Sequence, residues 1–204
     1  MQKSEKADRL NLLQTQLGRA NHNLSLGEEK TRILQLLWEE GQPMIMKDVA
    51  RKLGLKVAAT NMHLLGLKKA GHVHSPKHGH YAITELGKET IGFPKTDKAL
   101  AGRILSPASP DKAFHFYTSV HQYTHVIAHS LAEFVNKLHE IDAKSVEFHV
   151  PRKDFEHWVQ SLGDLELAKR LSVIRNKHAH GEDLRARVYE TVKHRLEELK
   201  RIHD

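Results

Sequence analysis

No cysteine occurs among the 204 residues. That excludes a disulfide framework, a thiolate zinc site and a cysteine nucleophile. No run approaches the ~18 consecutive apolar residues of a membrane-spanning helix. Met1 to Arg9 is charged throughout and lacks the apolar core of a secretory signal. A Gly-rich phosphate loop, a nucleophile elbow, an internal repeat and a low-complexity tract are also missing. The expectation is a cytoplasmic protein with no catalytic residues and no cofactor. Two things are present in excess. Lys and Arg number 32 against 25 Asp and Glu, a net charge of +7, and there are 17 His. The charge points to an anionic partner; the histidines raise the question of metal.

The charge is unevenly spread. Residues 1–93 carry 14 basic and 9 acidic side chains, whereas residues 94–204 carry 18 and 16. Within 47–78, Lys47, Arg51, Lys52, Lys56, Lys68, Lys69 and Lys77 face one acid, Asp48. A local patch is a better sign of nucleic-acid binding than a global excess. The bland reading is a solvated basic face.

Apolar spacing divides the chain. Leu10, Leu12, Leu13 and Leu17 suit a short amphipathic helix over 4–18, within an N-terminal arm of residues 1–24. Ser25 and Glu28 have the spacing of a capping box, ahead of a helix with Ile33, Leu34, Leu37 and Trp38 on one face. Gly41-Gln42-Pro43 ends it, and Met44-Ile45-Met46 suits one small strand. A helix over 47–54 follows, with Val49, Ala50 and Leu53 inward. The next helix opens at Lys56 and ends at Gly71. Its inward positions are Val57, Thr60, Leu64 and Leu67; its outward ones are Ala58, Ala59, Asn61, Met62 and Leu65. Gly66 inside it costs roughly 1 kcal/mol of helix propensity, so a bend or an early end is expected there. His72-Val73-His74 and Tyr81-Ala82-Ile83 flank a turn-rich stretch and read as a hairpin. A helix over 85–92 has Leu86 and Ile91 inward. Pro94, Pro107 and Pro110 mark 94–112 as a linker between a domain at 25–93 and another at 113–204, with room for a short helical turn over Leu100 to Leu105.

The ordered set over 26–93 resembles the winged helix-turn-helix transcription regulators of the arsenic-repressor and multiple-antibiotic-resistance type. The likeness rests on Met46-Lys47-Asp48-Val49-Ala50-Arg51-Lys52-Leu53-Gly54-Leu55 and on Asn61 to Val73. It implies a recognition helix entering the major groove of double-stranded DNA, a β-hairpin wing beside it, and a homodimer. On that reading Asn61 is the best candidate for a base contact, since an amide can pair bidentately with adenine. Thr60 and His63 are weaker candidates. Lys47, Arg51, Lys52, Lys56, Lys68, Lys69 and Lys77 would neutralise phosphates, and His78 and His80 of the wing would lie along the backbone.

The second half reads as helical, with little or no strand, making the whole chain mainly α. A long helical pattern covers 118–141, through Val120, Ile127, Leu131, Phe134, Val135 and Leu138. Residues 145–150 alternate like a strand or an extended segment. Helices follow at 154–162, with Asp154 as a candidate cap, at 165–174, and at 182–202, whose stripe is Leu184, Val188, Val192, Leu196 and Leu199. That last helix, the helix at 4–18, or both are expected to supply the homodimer interface. Phe114-His-Phe-Tyr117, Ser145-Val-Glu-Phe-His149 and Asp154-Phe-Glu-His-Trp158 are similar to an uncharacterised prokaryotic domain common in archaea. It is found alone or attached to other modules, glycosyltransferases among them. The similarity implies a regulatory or assembly module and brings no known activity.

On a helix, His121, His125 and His129 would share a face, and an i, i+4 pair can share a metal. No Cys or His-Glu-x-x-His string supports that, so a polar or half-buried helix face is the favoured reading. The alternating His72, His74, His78 and His80 suit backbone or solvent contacts. Glu147, Asp154, Glu156, Asp164 and Glu166 are expected on caps and solvated faces rather than as a catalytic pair. The alternatives to a DNA-reading regulator are a sequence-nonspecific chromatin-type protein, a His-based metal sensor, and a module that binds only protein.

Overall fold

The computed structural model describes residues 26–204, which divide into two units meeting between Lys95 and Thr96. Among the described residues there are ten α-helices and five short strands, so the chain is mainly helical with small antiparallel sheets. No described helix is long and apolar enough to cross a membrane.

In the first unit, α1 (Glu28–Glu40) buries Ile33, Leu34, Leu37 and Trp38, the face its spacing predicts. Its cap is Gly27, with no side-chain hydrogen bond, and Ser25 of the expected capping box lies outside the described residues. Gly41 ends the helix at φ +66°, a left-handed conformation that a β-carbon disfavours. Next come β1 (Met44–Ile45), α2 (Met46–Leu53) and α3 (Val57–Lys69). Only Gly54, Leu55 and Lys56 separate α2 from α3. Gly54 takes φ +67°, and its N–H and that of Leu55 donate to the Arg51 and Ala50 carbonyls. Arg32 of α1 donates to the Leu53 carbonyl at 3.2 Å, so α1 also satisfies the end of α2.

A hairpin follows, β2 (Val73–His74) and β3 (His80–Ile83), and β1 pairs with the other edge of β3. Met44 stands opposite Tyr81 and Val73 opposite Ile83. The core between helices and sheet is Ile33, Leu34, Leu37, Val49, Leu64, Leu67 and Val73. Three expectations are corrected here. α3 runs unbroken through Gly66 to Lys69. Val57 is 48% exposed, because it opens α3 and no preceding turn covers it. Leu86 is 43% exposed, because α4 (Glu85–Thr90) presents Gly87 to the sheet instead. A β-carbon on Gly87 would collide with the His72 carbonyl and stand 2.6 Å from Cγ1 of Ile83.

The second unit begins earlier than its linker-like sequence suggests. α5 (Lys98–Leu105), capped by Asp97, places Ala101 and Ile104 at zero exposure in the core. A 3-10 turn at Pro110–Lys112 leads into an antiparallel hairpin, β4 (Phe114–Ser119) and β5 (Gln122–Ala128). The long helix read over 118–141 is therefore this hairpin followed by α6 (Leu131–Glu140). The unit is not strand-free. The alternation read over 145–150 is also overturned: α7 is Ala143–His149, started by the Asp142 carboxylate. α8 (Asp154–Ser161), α9 (Leu165–Asn176) and α10 (Gly181–His203) complete the unit. Asp154 is the first residue of α8 rather than its cap, and its carboxylate accepts from His149 and Arg152 instead.

Phe114 meets Phe116 and Phe134 edge to face. Phe134 meets Phe155 edge to face, stacks on Phe116 and lies tilted against Trp158, and the Trp158 indole N–H donates to the Lys112 carbonyl at 2.9 Å. Leu184, Val188, Val192, Leu196 and Leu199 of α10 are all buried in this same core. Asp164 and Glu166, expected on solvated surfaces, are buried too. They accept from Arg195 of α10 at 2.9 and 3.0 Å.

Candidate nucleic-acid interface

α3 buries Thr60, Leu64 and Leu67 against the first unit's core, which leaves the opposite side of the helix outward. Ala58, Met62, Leu65 and Lys69 recur at i, i+4, i+7 and i+11, a single helical stripe, and all four are exposed. Met62 is 74% exposed and Leu65 51%. The centre of the outward face is thus apolar, with charge at the margins: Lys56 just before the helix, Lys68 and Lys69 at its end. Sequence spacing had already placed Met62 and Leu65 outward. Neither side chain carries the hydrogen-bonding groups by which Asn61 stands out in the sequence.

Asn61 sits on the flank of that stripe, half-buried, two turns before Lys68 on the same side. Thr60 does not belong to the surface. It has no exposure, and its hydroxyl donates to the Lys56 carbonyl at 3.1 Å. His63 turns the other way, with Nε2 2.6 Å from a Glu29 carboxylate oxygen of α1. Neither side chain is presented for base reading.

The basic residues fall into two groups. Arg51 pairs with Asp48 and Lys52 with Glu40, each at 2.6 Å. Exposed pairs of this kind contribute about 0–1 kcal/mol, so phosphate can compete for them, but their charge is already balanced. Lys47, Lys56, Lys68, Lys69 and Lys77 form no ion pair among the described residues. Lys77 lies in the tight β2–β3 turn. There the Ser75 hydroxyl and the His80 N–H both donate to the Lys77 carbonyl, and Gly79 takes φ +73°. His78 is exposed, and its carbonyl lies 3.1 Å from Nδ1 of His80. His72 is instead buried, 3.2 Å from the Thr90 hydroxyl.

The helical metal face does not exist. His121 lies in the β4–β5 turn and His129 follows β5. His125 takes φ +60° where the register slips between the His115–Ile127 and Tyr117–Tyr123 pairs. Among the described residues, no three His, Cys, Asp or Glu side chains gather closely enough to hold a metal ion. No family model, curated protein or solved structure matches the chain.

Proposed function

We propose that the chain is a DNA-binding transcriptional regulator, with residues 28–93 acting as a winged helix on double-stranded DNA. The order α1, β1, α2, α3, β2, β3, α4 supports this reading, since a winged helix-turn-helix runs helix, strand, helix, helix and hairpin in that sequence. The observation that carries the reading is α3 itself. It follows α2 after a three-residue turn, is exposed along its outward stripe, and is bordered by Lys56, Lys68 and Lys69, which form no ion pair among the described residues. A helix so presented fits the major groove. Lys56, Lys68 and Lys69 would then meet phosphates beside it, and Lys77 would meet the backbone from the β2–β3 turn. Met62 and Leu65 suit thymine methyl groups, and Asn61 suits the edge of adenine. Residues 96–204 would serve assembly or effector response.

The test is duplex binding by fluorescence anisotropy at near-physiological salt, with sequences selected from a random pool. Lys56→Glu combined with Lys68→Glu is expected to weaken binding at least ten-fold. Unchanged affinity overturns the proposal. Equal affinity for every duplex would instead indicate a nonspecific, chromatin-type binder. The apolar character of Met62, Leu65 and Val57 favours one other reading, a protein partner docking on α3. In that case Met62→Asp abolishes partner binding while the lysine reversals leave it intact.

A further inference from the structure

The second unit contains a cleft of about 310 Å³ between β4, α7 and the start of α8. Its walls are mostly rings: Phe114, Tyr117, Phe148 and His149. Arg152 stands at its edge, with the guanidinium carbon 4.9 Å from the centre of the Phe148 ring. The Arg152 Nε–H donates to Asp154 Oδ2 at 3.0 Å, which fixes the guanidinium plane. Its two terminal nitrogens make no hydrogen bond among the described residues.

His149 and Asp154 resemble a general-base pair, but the geometry excludes that role. The His149 Nε2 accepts the Tyr117 backbone N–H at 2.9 Å, and Nδ1–H donates to Asp154 Oδ2 at 2.8 Å. Both ring nitrogens are occupied, so the imidazole has no lone pair left to take a substrate proton or a metal. Burial also pushes its pKa below the ordinary value, keeping it neutral. The cleft therefore offers aromatic surface, one neutral ring as floor, and a pre-oriented cationic fork with open ends.

We propose that this cleft binds a small planar ring acid, an aromatic group bearing one carboxylate. The ring would lie against Phe114, Tyr117 and Phe148, and the carboxylate would accept from the terminal Arg152 nitrogens in the bidentate manner that guanidinium favours. The volume is at the lower end of the ~300–1,000 Å³ typical of small-molecule sites, which limits the ligand to one or two fused rings. A bare phosphate would meet a single cation and leave the aromatic walls uncovered. This site does not depend on the DNA reading, and its test reads ligand binding directly.

The probe is 2-naphthoate, titrated calorimetrically into the full chain beside its neutral analogue 2-naphthalenemethanol and inorganic phosphate. Saturable one-to-one binding of the acid is expected, at least ten-fold tighter than the alcohol, with no binding of phosphate. Arg152→Gln is expected to reduce affinity for the acid at least ten-fold and to leave the alcohol unchanged. Phe148→Ala is expected to weaken both. Arg187→Gln, on the exposed side of α10, serves as the control and is expected to change neither. Arg152 is half-exposed and the Asp154–His149 bond survives its removal, so thermal unfolding of Arg152→Gln should match the parent. Absence of saturable acid binding, equal affinity for acid and alcohol, or full binding by Arg152→Gln overturns the proposal.

Discussion

Arg195 shows how one residue can invert the meaning of a surface-looking sequence. It stands on the apolar stripe of α10, three residues after Val192 and four before Leu199, so it points inward with 2% exposure. Burial alone would lower its pKa, but Asp164, Glu166 and Glu198 around it raise it above the ordinary value, and it stays charged. Asp164 also accepts the Leu167 N–H at the start of α9, so the same carboxylate caps a helix and neutralises the arginine. Replacing Arg195 with Met leaves the buried Asp164 carboxylate without its cation, while Glu166 keeps Arg170, and breaking a buried pair from one side typically costs about 3–5 kcal/mol. The expected result is a lower denaturant midpoint for the second unit. A midpoint equal to the parent's would mean that water already reaches this cluster. His149 gives the complementary case, a buried group kept neutral. Its folded pKa lies below the ordinary 6.5, so near and below that pH the folded chain binds fewer protons than the unfolded one. Its contribution is complete above about pH 6.5 and is lost as the pH falls through the lowered folded value. Stability measured from about pH 5 to about pH 8 should therefore rise with pH, and His149→Gln should rise less steeply. Equal slopes would assign the acid sensitivity to other histidines.

At the scale of elements, glycines decide which helices can approach their neighbours. Gly66 and Gly87 are both helical, yet an added methyl group meets different surroundings. At Gly66 the nearest atoms are the flexible end of Lys30, at 3.7 and 3.8 Å. Gly66→Ala is expected to stabilise the first unit by up to about 1 kcal/mol through helix propensity. Gly87→Ala gains the same propensity but forces α4 away from the His72 carbonyl, with a net loss of about 1–3 kcal/mol. Thermal unfolding of the two variants should therefore move in opposite directions. Much of the first unit was legible because its apolar residues recur at clean helical intervals and its helices end on Gly41 and Gly54. The β4–β5 hairpin was not. Its bulge at His125 interrupts strand alternation and makes Val126, Ile127 and Ala128 consecutive, so that Ile127, Leu131, Phe134 and Leu138 imitate one helix. α5 was legible only as a short helical turn over 100–105, because prolines stand on either side of it, although Asp97 marks its start. In the candidate interface the outward positions of α3 were legible from spacing. The inward place of Thr60 follows from the same spacing, which sets it with Leu64 and Leu67. The pairing of His63 with Glu29 depends on α1 packing beside α3, which no local pattern encodes.

For the whole molecule, the proposed DNA binding raises the question of how many copies take part. The stripe on α10 is consumed by the second unit's own core, so it cannot also form the homodimer interface expected of it. The leucines at 10, 12, 13 and 17, outside the described residues, remain the sequence's other candidate for that role. Salt dependence and assembly can be tested together. Each phosphate neutralised by a lysine contributes about −0.9 to the slope of log affinity against log salt concentration. Lys47, Lys56, Lys68, Lys69 and Lys77 would give about −4.5 for one copy, and about −9 for two copies on a palindromic site. Lys77→Ala should reduce the slope by about 1 per copy on any duplex, since a phosphate contact carries no sequence information. Leu13→Glu with Leu17→Glu should halve the slope and convert a dimer to a monomer in sedimentation, if that stripe joins the copies. A slope near zero for the parent would remove phosphate as the ligand of the basic patch. A slope near −4.5 with monomeric sedimentation would retain DNA binding and remove the dimer.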